Sequence, residues 1–220
     1  MAMRTIGILS PGDMGSALGR LLRSNSFKVV TNLQNRSSRT RELARSSGID
    51  DLGSDDELLS SAETIISVLV PSSATATAER IASASRKLEP GRLRTRFYID
   101  ANAVAPATTK KMSELFSDTG ITFIDGSIIG DPPCLKPDKT WFKPTFAVSG
   151  AATRDINLDH VFDVCHVGAD IGQASALKMS FASLTKVWSP LRSCKFQGSH
   201  PRDSQRLLFS HLEPPTQTVF

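Results

Sequence analysis

The feature that most restricts the fold is an alternation of two periods along residues 5–125. Apolar, β-branched runs of four to seven residues occur at TIGIL (5–9), FKVVTNL (27–33), TIISVLV (64–70), FYID (97–100) and ITFID (121–125). Runs of that length suit buried strands and are too short for core helices. Stretches with helical spacing separate them. DMGSALGRLLRS sets Met14, Leu18, Leu21 and Leu22 at helical intervals, and SRTRELARSSG ends at Gly48, as a glycine just past a helix C-terminus does. SSATATAERIASASRKL and PATTKKMSELFSDTG repeat the arrangement, the second opening on Pro106, which fits a first helical turn, and closing at Gly120. Strand alternating with helix predicts an α/β fold, a doubly wound parallel sheet with right-handed crossovers and helices on both faces.

The pattern changes after Gly126. DPPCLKPDKTWFKP holds four prolines in fourteen residues, which predicts an irregular loop, and TFAVSG (145–150) reads as one more strand. IGQASALKMSFASLTKVW (171–188) predicts a long helix with Ala174, Leu177, Phe181, Leu184 and Trp188 on one stripe. From Ser189 to Phe220, four prolines and one short apolar patch leave no sustained period.

Composition narrows the function classes. With 40% hydrophobic and 22% charged residues the chain reads as globular rather than disordered. No apolar stretch approaches the roughly 20 residues that cross a bilayer, and TIISVLV stops at Pro71. The first apolar run follows MAMR directly, so neither a signal nor a transit peptide is expected, and the predicted location is the cytoplasm. Cys134, Cys165 and Cys194 form no CxxC pair, and His160, His166, His200 and His211 form no ligand cluster, so neither a metal site nor a disulfide framework is predicted. The net charge of +4 is densest in RKLEPGRLRTR (86–96). Pro90 and Gly91 interrupt that segment and no aromatics interleave it, so it reads as a solvated connection rather than a nucleic-acid surface.

The first strand runs straight into GILSPGDMGSALG, where Gly12 and Gly15 take the second and third places of a GxGxxG fingerprint and Ser10 takes the first. Gly12 would let the backbone approach a pyrophosphate and Gly15 would let the helix pack closely on the strand. The amides at the helix start, around Asp13 and Met14, would hold the negative charge. The alternative is a tight turn in a ligand-free domain. The junction between strand and helix is the context the fingerprint requires, and it predicts a dinucleotide site of Rossmann type. At the end of the second strand, where an NAD-binding domain carries an acid, LQNRSSRTR offers Asn35, Arg36 and Ser37. A 2′-phosphate needs cations and hydroxyl donors, so this chemistry favours NADP over NAD, with Arg36 as the first phosphate ligand. For Arg39 and Arg41, covering the start of a helix is an equally good reading.

Several segments, in order, resemble one family, the β-hydroxyacid dehydrogenases that include 6-phosphogluconate and 3-hydroxyisobutyrate dehydrogenases. GILSPGDMG resembles the family's G-x-I-G-x-G-x-M-G box, NRS its NADP-type strand end, and VLVP (68–71) its M-L-P turn beside the nicotinamide. DANAVAP (100–106) resembles D-x-S-T-x-x-P, DGSIIG (125–130) the D-x-P-V-S-G substrate loop, and GQASALKM (172–179) the segment with the catalytic lysine. The resemblance covers residues 5–187, and the most similar subgroup is the phosphogluconate-dehydrogenase-like proteins whose C-terminal domain has no assigned function. It implies an NADP-dependent oxidation of a small β-hydroxy acid with Lys178 as general base. Val70, Pro71 and Asn102 would lie beside the cofactor, and Ile129 and Gly130 in the substrate loop. An amine in that role must be partly neutral near pH 7, well below its free value of about 10.4, which requires burial or a neighbouring positive charge. Lys186, about 80° away around the helix, reads as surface.

The departures from the family pattern are equally informative. The substrate-loop serine is Ile129, a following glycine is Asp131, and the asparagine expected one turn after the lysine is Ala182. A hydroxyl, an open backbone and an amide are thereby lost, and the substrate is expected to differ from 6-phosphogluconate. Asn102 is a candidate to compensate. The implied organisation is an NADP-binding domain at 1–168 and an interdomain helix at 169–188, the start of an all-helical domain. An irregular tail follows at 189–220, read as truncated or misread. A full-length form is expected to be a homodimer. The alternative function is an NADP-binding module without catalysis.

Overall fold

The computed structural model describes residues 3–193 and side chains as far as Lys186. Two compact units divide after Phe181. The first holds a sheet of eight strands. β1 (Thr5–Leu9), β2 (Lys28–Thr31), β3 (Asp50–Asp51), β4 (Thr64–Ser67), β5 (Phe97–Asp100) and β6 (Thr122–Ile129) lie in the order β3-β2-β1-β4-β5-β6, all parallel. β9 (Thr145–Ser149) joins β6 antiparallel, and β10 (Asp163–Gly168) lies parallel to β9 at the edge. A separate two-stranded hairpin pairs β7 (Cys134–Leu135) with β8 (Trp141–Phe142).

Helices cover both faces, as the alternating pattern predicts. α1 (Asp13–Ser24) and α2 (Ser38–Ser46) bury Leu18, Leu21, Leu22 and Ala44 against Ile6, Ile8, Val29 and Ile66 on one face. On the other, α3 (Asp55–Ser61), α4 (Ala74–Lys87) and α5 (Pro106–Glu114) bury Leu58, Ala78, Ile81 and Met112 against Leu9, Ile65, Tyr98 and Phe123. Each fully buried leucine or isoleucine contributes about 2 kcal/mol. The strand order reverses between β1 and β4, and the carboxyl ends of those strands form the crevice where open α/β sheets bind ligands.

The structure revises several element boundaries. β4 ends at Ser67 rather than Val70, because the amide of Leu69 is taken by the Asn102 side chain and Pro71 begins a 3₁₀ turn. β6 runs to Ile129 because β9 supplies it with an antiparallel partner. The proline-rich segment 131–144 carries the β7–β8 hairpin rather than being irregular throughout. The last helix, α6 (Gln173–Ser193), passes Trp188 by five residues, so the reading of 189–193 as irregular is corrected. The remainder of that tail lies outside the described residues. Along α6, Ala174 is buried while Leu177 and Phe181 are 40% and 49% exposed. In the second unit Leu184 and Lys186 are exposed. Among the described residues no helix is long and apolar enough to cross a membrane.

The basic segment 86–96 connects α4 to β5. Arg86 pairs with Asp118 at 2.7 Å, Arg96 lies over the Phe97 ring, and the buried Thr95 hydroxyl donates to the carbonyls of Leu59 and Ala62.

Candidate functional site

The turn after β1 is shaped by its replacement of glycine. Ser10 occupies the left-handed region at φ 51°, and its carbonyl accepts a hydrogen bond from the Gly12 amide at 2.7 Å. Gly15 sits where a Cβ would lie 3.3 Å from Ile8 Cγ2, so its lack of a side chain lets α1 approach β1. A Cβ on Gly12, by contrast, would meet nothing within 4 Å. The start of α1 carries no side-chain cap, leaving its first amides to another acceptor. Ser10 Oγ is buried without a hydrogen-bond partner.

These groups open onto a cleft of about 340 Å³, lined by Ser10, Gly12, Met14, Gly15, Arg36 and Val70, among others. Six residues singled out from the sequence therefore come together. The Leu33–Arg36 turn presents Arg36, with the Arg36 amide donating to the Leu33 carbonyl and Asn35 holding φ 59°. Asn35 thus serves as the turn's left-handed residue. Ser37 caps α2 by accepting from the Thr40 amide, and lies outside the cleft lining. The Arg36 guanidinium makes no hydrogen bond or ion pair with any described residue. Burial, followed by the neighbouring Arg80, lowers its pKa. Arg80 grips Asp55 with both carboxylate oxygens in reach, and Asn32 donates to the same Asp55. The Asp55 carboxylate is thereby satisfied by protein, as is Asp51, which pairs with the end of β2 and accepts from the Leu33 amide. Asp13 turns its carboxylate to Arg39 on the surface, so its contribution to a ligand is its amide. Arg41 donates to the Leu33 carbonyl at 2.8 Å. Pro71 forms the first residue of the 3₁₀ turn.

An orphaned hydroxyl, a vacant Cβ position, an uncapped helix start and an unpaired guanidinium around one cleft fit a bound dinucleotide.

Deeper along the same sheet edge lies a row that sequence reasoning quoted but gave no role. Leu9, Ser67, Asp100, Asp125 and Ser149 are in register on β1, β4, β5, β6 and β9. All of its polar members are fully buried. Asp125 accepts from Ser149 Oγ, from the amides of Gly172 and Ser175, and at 2.6 Å from Ser175 Oγ. Ser149 Oγ in turn accepts from the Ala174 amide, and Thr109 and Ser175 share a hydrogen bond between hydroxyls. Asp125 therefore anchors the start of α6, where the helix dipole favours negative charge. FYID and ITFID both end on aspartate at the carboxyl edge of a strand, which was the available signal.

Lys178 follows one turn after Ser175, on the same helix face. It is half-buried and makes no hydrogen bond or ion pair with any described residue. Burial lowers its pKa, while the negative charge of Asp100 acts in the opposite direction. Asp100 itself is raised to about 7, first by desolvation, against the hydrogen bond from Asn102, with Asp125 adding to the rise. One Asp100 oxygen accepts from Asn102 and the other is buried without a partner.

Asn102 does not reach outward. Its carbonyl oxygen accepts from the Leu69 amide and its NH₂ donates to Ser67 Oγ and Asp100 Oδ1. With those atoms engaged inside the protein, it ties the ends of β4 and β5 together rather than replacing the lost substrate amide. Ile129 pairs with Thr145 four residues past Asp125, roughly 13 Å along the strand, and Gly130 ends β6 at φ 124°. Neither lines the cleft around Gly12. Among the described residues no group of His, Cys, Asp and Glu could hold a metal ion.

A glycine turn at the first βα junction of a β3-β2-β1-β4-β5-β6 sheet defines a pyridine-nucleotide-binding domain of Rossmann type. The chain belongs to the family of the NAD binding domain of 6-phosphogluconate dehydrogenase, whose model matches residues 5–133. It is 26% identical over 183 residues to an uncharacterised 28.5 kDa protein of the 7S RNA 5′ region of Methanothermus fervidus, covering 82% of this chain. The chain spans 65% of the length of that curated relative. A conserved protein of unknown function, solved and described as similar to 3-hydroxyacid dehydrogenases, matches at TM-score 0.71 and 27% identity, over 93% of this chain and 75% of its own. The 3-hydroxyisobutyrate dehydrogenase of Mycobacterium tuberculosis, solved with L-serine, shares the fold at TM-score 0.63 and 18% identity, over 84% of this chain and 60% of its own. The fold is thus that of the hydroxyacid dehydrogenases.

Proposed function

We propose that the chain is the cofactor-binding part of an NADP-dependent oxidoreductase that oxidises the hydroxyl of a small β-hydroxy acid. Residues 1–168 would form its NADP domain and α6 (Gln173–Ser193) the interdomain helix that follows. The observation that carries this reading is Lys178, a half-buried, unpaired amine on the turn that follows the α6 residues anchored by Asp125. Desolvation favours its neutral form, which is the form that can take a hydroxyl proton. In that step the Lys178 Nζ lone pair binds the proton, the O–H electron pair stays on oxygen to form the carbonyl, and the hydride departs from the carbon. When bound, the nicotinamide supplies the hydride acceptor.

The first-turn amides of α1, Ser10 Oγ and the open face of Gly12 would hold the pyrophosphate, and Arg36 the 2′-phosphate. NADP is preferred over NAD because Asp55, a nearby carboxylate, is committed to Arg80 and Asn32 and leaves the Arg36 guanidinium without a hydrogen-bonding carboxylate. Titration calorimetry with NADP and NAD, followed by NADP reduction assays over a panel of β-hydroxy acids, tests this reading. Tighter NAD binding removes the cofactor assignment, and turnover unaffected by Lys178→Ala removes the base.

A second reading, an NADP-binding module without catalysis, is favoured by Ile129, which sits within strand pairing and offers no hydroxyl to a substrate. Cofactor binding without turnover of any hydroxy acid would select it.

A further inference from the structure

The buried Asp100 carboxyl is the group that the proposed base chemistry leaves without a task. Asp100 and Asp125 are in register on adjacent parallel strands, roughly 4.8 Å apart, and both are fully buried. The two are not equivalent. Asp125 is saturated by four donors, so its negative charge is held by the start of α6. Among the described residues Asp100 accepts from Asn102 alone, and its second oxygen is enclosed without a partner. Two buried carboxyl groups on neighbouring strands disfavour joint ionisation, and it is the less satisfied Asp100 whose pKa is raised, by burial first and by Asp125 in addition.

The Lys178 amine on α6 lies within electrostatic reach of Asp100. Ser175 is bound to Asp125 through both its amide and its hydroxyl, and Lys178 lies three residues on, along the same face. The titratable groups around Asp100 are Asp125 from β6, Lys178 from α6 and Tyr98 from its own strand, with Ser67 and Asn102 as neutral polar neighbours. No hydrogen bond or ion pair joins Asp100 to Lys178, so the interaction crosses space and leaves the amine free for another partner.

We infer that Asp100 is a positioning residue for Lys178. Its ionisation state sets how readily Lys178 takes a proton, with Asn102 aiming the carboxyl and Asp125 opposing its charge. An ionised Asp100 raises the proton affinity of the amine; a protonated Asp100 lets burial dominate and keeps the amine neutral. The arrangement rests on the proposed role of Lys178 for its purpose, but the coupling exists whether or not a hydroxy acid is turned over.

The test therefore avoids turnover. Competitive acetylation of the intact protein across pH, read by mass spectrometry on the Lys178 peptide, gives the midpoint of the amine. In Asp100→Asn that midpoint is expected to fall by about one unit, roughly tenfold more neutral amine at a fixed pH below the midpoint. In the complementary variant Lys178→Met, the Asp100 carboxyl, followed by carbon-13 NMR, is expected to titrate higher than in the unaltered chain. Circular dichroism establishes that each variant is folded. A Lys178 midpoint unmoved in folded Asp100→Asn overturns the inference; should that variant not fold, an unmoved Asp100 in Lys178→Met overturns it equally. Coupling without hydroxy-acid oxidation would instead reject the proposed reaction and leave the pair intact.

Discussion

Asp125 accepts four hydrogen bonds while Asp100, its in-register neighbour on β5, keeps one buried oxygen without a partner. Two aspartates in equivalent positions at the ends of adjacent strands thus have opposite roles. One binds the last helix to the sheet, and the other holds a carboxyl in reserve under it.

The difference makes Asp100 a pH-dependent burden on stability. Its pKa rises from 3.8 in an exposed chain to about 7 in the fold. Below the lower value the carboxyl is neutral folded or unfolded. Between the two values only the folded chain keeps the proton, and the favourable contribution of the neutral form is lost as pH climbs through about 7. The full span corresponds to roughly 4 kcal/mol as an upper order of magnitude. Urea unfolding midpoints measured from pH 4 to pH 8 should show Asp100→Asn gaining on the unaltered chain as pH rises. Parallel profiles would contradict this.

Removing Asp125 should be costly at every pH where its partners are neutral donors. Asp125→Ala leaves the Gly172 and Ser175 amides and two hydroxyls facing a vacated, buried site. Each orphaned donor costs about 1–3 kcal/mol, so a loss of about 3 kcal/mol or more is expected in equilibrium unfolding. Hydrogen exchange at the start of α6 should accelerate before exchange in β1 does.

Cofactor choice should follow Arg36 and ignore Arg39. Arg36 lines the cleft without a protein partner, whereas Arg39 is engaged with Asp13 on the surface, where such pairs contribute at most about 1 kcal/mol. Arg36→Ala is expected to weaken NADP binding about tenfold or more, a charge-assisted phosphate contact being lost, and to leave NAD binding nearly unchanged. Arg39→Ala should alter neither by more than about twofold. Calorimetry with both cofactors checks the pair of variants.

The parallel sheet was legible because burial on both faces makes each strand a short unbroken apolar run, and TIGIL and FYID match β1 and β5 end for end. β10 was hidden for the converse reason: DVCHVG is a half-exposed edge strand in which Asp163 and His166 interrupt the apolar run without giving a strict alternation, so neither strand signature forms. α3 left a signal that was passed over, since Ser54 accepts from the Glu57 amide and the pair has capping-box spacing. Around the cleft, Gly12 and Arg36 were readable because each has a local chemical reason to be where it is. The Asp100–Asp125 relationship was only hinted at by FYID and ITFID each ending on aspartate, because the pairing itself depends on the register of two strands separated by a helix. Asn102 shows the same limit: its loop position suggested a ligand, and only its contacts reveal that its amide is engaged inside the protein.

Two glycines of the site should respond to alanine in opposite ways. At Gly126 an added Cβ would lie 2.8 Å from Ile99 Cγ2 and 3.1 Å from both the Asp100 carbonyl oxygen and Phe146 Cε2. Backbone closes one side and a packed core the other, so β6 must shift against β5 beside the aspartate row. Overpacking of this kind costs about 1–3 kcal/mol. At Gly12 the same methyl meets nothing within 4 Å and the residue's φ of −77° suits alanine. Gly12→Ala should therefore cost within about 1 kcal/mol, the expected penalty for a poorer helix start. Its effect should fall on binding, because the methyl occupies the space through which a pyrophosphate would approach the α1 amides. Thermal unfolding and NADP calorimetry on both variants separate the two outcomes: a lowered midpoint for Gly126→Ala, and a near-normal midpoint with affinity reduced more than tenfold for Gly12→Ala. Undiminished NADP affinity in folded Gly12→Ala would show that the dinucleotide is held elsewhere.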